Sequence, residues 1–115
     1  MADSKFAQLA EAALCSIQDA LDQASARDAI DCDCEREGAV LRLSFADGSR
    51  MVINLQPALE ELWVASRRGG YHFRLNAQGH WTDTREGGKL GTRLAEEIAH
   101  HSGVKLDFAA LSGAP

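Results

Sequence analysis

Residues 54–75, NLQPALEELWVASRRGGYHFRL, decide the fold. The stretch predicts the end of one strand, a kink through Gln56-Pro57-Ala58, a strand over 62–66, a Gly69-Gly70 turn and a further strand. Successive side chains in a strand point to opposite faces, so Leu62, Val64, Tyr71, Phe73 and Leu75 share one face. The other face then carries Trp63, His72 and Arg74, joined through the preceding strand by Asn54 and Gln56. A tryptophan set among amide, imidazole and guanidinium groups marks a contact surface, with burial beneath a loop as the plain alternative.

Moving toward the N-terminus, Met51, Ile53 and Leu55 alternate inward along a strand over 50–55. Asp47-Gly48 is a hairpin signal, because both positions tolerate positive φ, and it joins this strand to one holding Leu41, Leu43 and Phe45. Glu37-Gly38 is the turn before that. Over 30–35, inward Ile30, Cys32 and Cys34 leave Asp31, Asp33 and Glu35 facing out about 7 Å apart. Like charges in such a row repel, so the row costs stability. It is either a functional acidic ridge or a guard against edge-to-edge pairing, a task that one or two charges suffice for.

Residues 4–24 predict a helix whose stripe is Phe6, Ala10, Ala13, Leu14, Ile17, Leu21 and Ala24, with Asp3 or Ser4 as its cap. Its opposite side carries Gln8, Glu11, Cys15, Asp19 and Asp22. Glu11 and Asp19 flank Cys15 one helical turn either way and disfavour its thiolate, so Cys15 is not expected to act as a nucleophile.

Toward the C-terminus, a short strand holds Trp81, and Leu90, Leu94, Ile98 and His101 recur with Ala95 and Ala99 along a second helix ending near Ser102. Glu96 and Glu97 are expected to face water, Gly103 to close the helix, and 104–108 to form a last strand or an extended segment. His100-His101 at a helix C-terminus reads as a dipole contact rather than a metal site. Gly87-Gly88-Lys89 lacks P-loop spacing. Residues 109–115 are expected to fray.

The order α-β-β-β-β-β-(β)-α, without βαβ alternation, predicts an α+β two-layer sandwich. It has an antiparallel sheet of five to seven strands, both helices on one face and the other face open. At 115 residues the chain is read as one domain, 1–115. It shows no apolar run of the ~20 residues a membrane span needs and no signal or transit pattern, so it is expected in the cytoplasm. Three cysteines do not make a disulfide framework, and Cys32 and Cys34 are read as small core residues rather than zinc ligands. A net charge of −5 argues against a nucleic-acid partner. Residues 1–38 hold nine acids against three bases, net −6, while the rest holds eight acids and nine bases, net +1. The acidity is local, so its partner is a basic protein surface or a hard cation.

The run VINLQPALEELWVAS with GGYHF, the opening ADSKFAQLAE, the IDC at 30–32 and the helix-plus-extended ending together resemble the bacterial, CyaY-type frataxins. The likeness covers nearly the whole chain, and its specificity lies in length, order and spacing. It implies iron binding, as Fe2+ or Fe3+, weak and labile, through acids of the first helix and first strand. Carried over by position these are Asp19, Asp22, Asp31 and Asp33, with Glu11, Asp28 and Glu35 nearby. Gln23, Ser25, Arg27 and Ala29 stand where the family carries further acids. The resemblance also implies regulation of iron–sulfur cluster assembly. Asp22, Asp31 and Asp33 would dock on the cysteine desulfurase, and Asn54, Gln56, Trp63 and His72 would face the scaffold protein.

Catalysis is poorly provided for. Alternation brings together no Ser-His-Asp or Cys-His arrangement, and solvent-facing carboxyls titrate too low for acid catalysis near neutrality. The chain is therefore expected to be a binding protein, monomeric without iron. A second reading makes it an acidic interaction module for a basic partner with no physiological metal.

Overall fold

The structure is a computed structural model that describes residues 5–108. The predicted caps Asp3 and Ser4 and the predicted frayed tail 109–115 lie outside the described residues. In order, the elements are α1 (Lys5–Ala26), β1 (Cys32–Glu37), β2 (Val40–Phe45), β3 (Arg50–Gln56), a 3₁₀ turn (Pro57–Leu59), β4 (Glu61–Ser66), β5 (Gly69–Leu75), β6 (Trp81–Asp83) and α2 (Leu90–Ser102). Every strand pairs antiparallel with its chain neighbour, giving a six-stranded meander in the order β1-β2-β3-β4-β5-β6. Both helices cover one face of this sheet, as expected.

The α1 stripe is buried as the spacing requires: Phe6, Ala10, Ala13, Leu14, Ile17, Leu21 and Ala24. The helix is stopped by Asp28, in the left-handed region at φ 58°. The Ala29 N–H donates to the Ala24 carbonyl and the Asp28 N–H to that of Ser25, which satisfies two of the orphan carbonyls of the last turn. Register then fixes the two sheet faces. Leu41, Ile53, Val64 and Tyr71 form one cross-strand row under the helices, while Val40, Asn54, Trp63 and His72 form a row on the open face. The next open-face row runs Gln56, Glu61, Arg74 and Thr82.

Four expectations are corrected. The β4–β5 turn is made by Arg67-Arg68; Gly69 and Gly70 belong to β5, where Gly69 takes φ +154° as the strand begins. In the β2–β3 turn only Gly48 has positive φ, because the Asp47 carboxylate accepts from the Ser49 N–H and hydroxyl and closes the turn itself. Trp63, read as part of a contact surface, lies on the open face but is half-buried there, since the His72 ring covers one side of it.

Glu97 does not face water: it is 0% exposed beneath the β4–β5 turn. Its carboxylate accepts from Arg68 at 2.5 Å and from the Ser66 hydroxyl at 2.6 Å, and those donors replace the water it loses. His101 is likewise buried rather than resting charged on the helix end. Its ring stacks on Phe45, its Nε2 accepts from the Arg67 N–H, and its Nδ1 lies 2.7 Å from the Ser49 hydroxyl. Burial, with the Arg67 charge, lowers its pKa, so it serves as a neutral latch.

Gly103 closes α2 in the left-handed conformation, as predicted. Of the two alternatives for 104–108, the extended one holds: the segment forms no strand and buries Phe108.

Candidate functional site

The acidic residues predicted as ligands fall along one rim of the molecule because α1 runs beside the edge strand β1. Glu11 of α1 meets Arg36 of β1, and near the other end of the helix the Ser25 hydroxyl donates to the Cys32 carbonyl. Asp19, Asp22, Asp28, Asp31, Asp33 and Glu35 are all exposed. Asp22, Asp33 and Glu35, with Ser25 and the two strand cysteines, line one open trough. The same proximity is felt by the thiols. Burial first, then the charges of Asp33 and Asp31, pushes Cys32 up to about 11; burial first, then Asp22, pushes Cys34 up to about 12. Both thiols therefore stay protonated, and the trough offers oxygen donors.

The structure does not bring every candidate together. Both Glu11 oxygens accept from the Arg36 guanidinium at 2.6 Å, a bidentate pair. That pairing, with the Cys15 thiol as a second donor, holds the Glu11 carboxyl down at about 2. The Arg36 charge offsets that of Glu11 and both its oxygens are engaged, so a metal would have to compete with this pair. Asp28 occupies the strained position that ends α1. Among the described residues no three carboxylate, imidazole or thiol groups converge on one point. The ridge is a row of separate carboxylates rather than a cage.

The open face is organised differently. The Trp63 and His72 rings lie parallel, 4.1 Å apart at 5°. The Trp63 indole N–H donates to Glu61 Oε1 at 2.8 Å, and Arg74 Nη2 donates to Glu61 Oε2 at 2.5 Å. Gln56 Nε2 donates to Asn54 Oδ1 at 2.6 Å, linking the two amides. The predicted set Asn54, Gln56, Trp63 and His72 is thus one contiguous patch. Sequence reasoning missed its centre, Glu61, which is 6% exposed although it lies on the open face. The signal was there in the parity: Glu61 stands two residues before Trp63 in the same strand and so shares its face.

Residues 1–104 match the frataxin-like domain. The iron-sulfur cluster assembly protein CyaY of Paraburkholderia phymatum is 40% identical over 109 residues, covering 95% of this chain and 99% of that one. Its namesake in Paraburkholderia xenovorans is 41% identical over 110 residues, covering 96% and 100%. Among solved structures, the frataxin of Psychromonas ingrahamii superposes with a TM-score of 0.81 at 31% identity, over 94% of this chain and 98% of that chain. The trimeric frataxin of the yeast Saccharomyces cerevisiae, complexed with ferrous iron, gives 0.72 at 31% identity over 90% and 89%. No helix of the described residues is long and apolar enough to cross a membrane. The match over residues 1–104, the relatives at about 40% identity over nearly the whole chain and the shared fold agree: the chain belongs to the frataxin-like family.

Proposed function

We propose that this protein binds ferrous iron along the acidic rim and adapts or regulates iron–sulfur cluster assembly by docking on the cysteine desulfurase and its scaffold protein. It does so as an adaptor rather than an enzyme. The observation that carries the reading is the run of exposed carboxylates, Asp19 and Asp22 on α1 with Asp31 just before β1 and Asp33 and Glu35 along it, set against protonated, largely covered thiols. Support comes also from relatives named for iron–sulfur cluster assembly and from the yeast frataxin complexed with ferrous iron.

Hard oxygen donors suit iron, and an open row without a converging set of ligands binds it weakly and exchanges it readily. The same row presents unpaired negative charge to a basic desulfurase surface, while Asn54, Gln56, Trp63 and His72 address the scaffold from the sheet. Since no three donors converge among the described residues, a purely protein-docking role without metal is the competing reading.

Calorimetric titration with ferrous ion under anaerobic conditions separates the two. Replacing Asp19, Asp22, Asp31 and Asp33 by asparagine is expected to abolish most of the binding heat. Binding that survives those changes and is lost on replacing the cysteines contradicts the oxygen-ligand reading. Ferrous ion that leaves the wild-type protein without heat favours the metal-free role.

A further inference from the structure

A carboxylate that is almost fully covered on the solvent-facing side of a sheet needs a reason. Glu61 is 6% exposed, and its Oε1 accepts from the Trp63 indole N–H at 2.8 Å while lying 3.7 Å from His72 Nδ1. Its other oxygen is held by Arg74. These three residues are its neighbours by register: Arg74 sits directly across from Glu61, and His72 directly across from Trp63. One side chain therefore ties the edge of the indole and the guanidinium to a single point, and the imidazole is held by stacking on the indole so fixed. The Trp63–His72 pair, parallel to within 5°, is the geometric consequence.

We propose that Glu61 is a positioning residue for the open face. It locks Trp63, His72 and Arg74 into one preformed plate, so that a partner meets a rigid surface instead of three mobile side chains. Each rotamer-rich side chain immobilised on binding subtracts from affinity, so prior immobilisation is returned as tighter binding. The indole can swing only if its N–H leaves the carboxylate, and Arg74 supplies the cation that keeps this acid ionised next to an aromatic ring. Hydrogen bonds from Trp63 and then Arg74 outweigh burial and hold the Glu61 carboxyl below its ordinary value, so the anchor stays charged at neutral pH.

The identity of the partner as the scaffold protein rests on the function proposed above; the locking itself does not. Two variants distinguish them. Glu61→Gln keeps an oxygen for the indole N–H but loses the charge for Arg74, whereas Glu61→Met fills similar space without an acceptor. The Trp63 indole N–H resonance, assigned by its disappearance in Trp63→Phe, reports the bond directly through its hydrogen exchange. Slow exchange is expected in the wild-type protein and in Glu61→Gln, with fast exchange in Glu61→Met. Binding of purified scaffold should weaken about threefold to tenfold for Glu61→Met and less for Glu61→Gln.

Thermal unfolding of each variant checks that the domain is intact. Unchanged indole exchange in Glu61→Met overturns the proposal. So does unchanged scaffold affinity in Glu61→Met when Trp63→Ala weakens it. If neither Trp63→Ala nor Glu61→Met alters scaffold binding while indole exchange accelerates, the locking stands and the scaffold assignment fails.

Discussion

Glu97 shows how one side chain can escape a pattern that reads the rest of its helix well. On a 3.6-residue period it falls at the margin of the α2 stripe, and nothing local reveals that the β4–β5 turn folds over it. Of the donors that make its burial tolerable, Arg93 is one turn away on the same helix, but Arg68 and Ser66 come into range only once the fold has formed. Burial works to raise its pKa, but the hydrogen bonds from Arg68 and Ser66 outweigh burial and keep it ionised. Arg68→Ala strips the best of these donors and leaves a charged group underprovided. We expect a loss of about 1–3 kcal/mol, read from urea midpoints. Cysteine chemistry can be tested at the same scale. With Cys32 held at about 11 and Cys34 at about 12, native protein at pH 8 should lose one thiol, Cys15, to iodoacetamide, and three when unfolded. Mass spectrometry counts the adducts.

At the scale of elements, α1 and the strand faces were legible because each uses one uninterrupted period. All seven predicted stripe residues of α1 are buried, and the alternation over 62–65 and 71–75 gave the two faces correctly. Turns were less legible. Gly69-Gly70 looks like a turn in isolation, yet the ladder continues to the Ser66–Gly69 pair and leaves the turn to two arginines. The end of α1 offers a direct test of turn chemistry. Asp28 takes a left-handed conformation that costs an L-residue roughly 1–2 kcal/mol, so Asp28→Gly should stabilise the domain, by about 1 kcal/mol after the entropy cost of glycine.

At the other end of the chain, an added Cβ on Gly91 would sit 2.5 Å from the Phe108 carbonyl oxygen. Gly91→Ala should therefore displace the extended segment and cost about 1–3 kcal/mol, visible as a lower thermal midpoint. His101 adds a pH dependence. Burial first, then the charge of Arg67 and the nearby His100, lowers its pKa, with Asp47 and Glu97 opposing. A depressed histidine contributes stability that is present above its unfolded pKa of about 6.5 and is lost as pH falls toward the folded value. His101→Gln should flatten the decline in stability between pH 7 and pH 5.

Over the whole molecule, the separation of two surfaces follows from the meander. Pairing each strand with its chain neighbour leaves β1 at an edge, where α1 joins its acids to those of the strand, and leaves the middle of the sheet open on the far face. The asymmetry of charge between residues 1–38 and the rest was readable as composition, and it became a surface only through that topology. What composition could not show is that Arg36 withdraws Glu11 from the row by a bidentate pair. The remaining carboxylates carry the account. Exposed charges are screened beyond ~8 Å at physiological ionic strength, so docking that depends on them must weaken with added salt.

The most direct test is binding of the purified cysteine desulfurase to wild-type protein and to Asp31→Lys/Asp33→Lys, measured by interferometry at low and at physiological salt, with circular dichroism as the folding check. The ridge predicts salt-sensitive binding by the wild-type protein and loss of binding on charge reversal, since like charges set against one another cost several kcal/mol. Equal desulfurase affinity in the two proteins at both salt concentrations would contradict it.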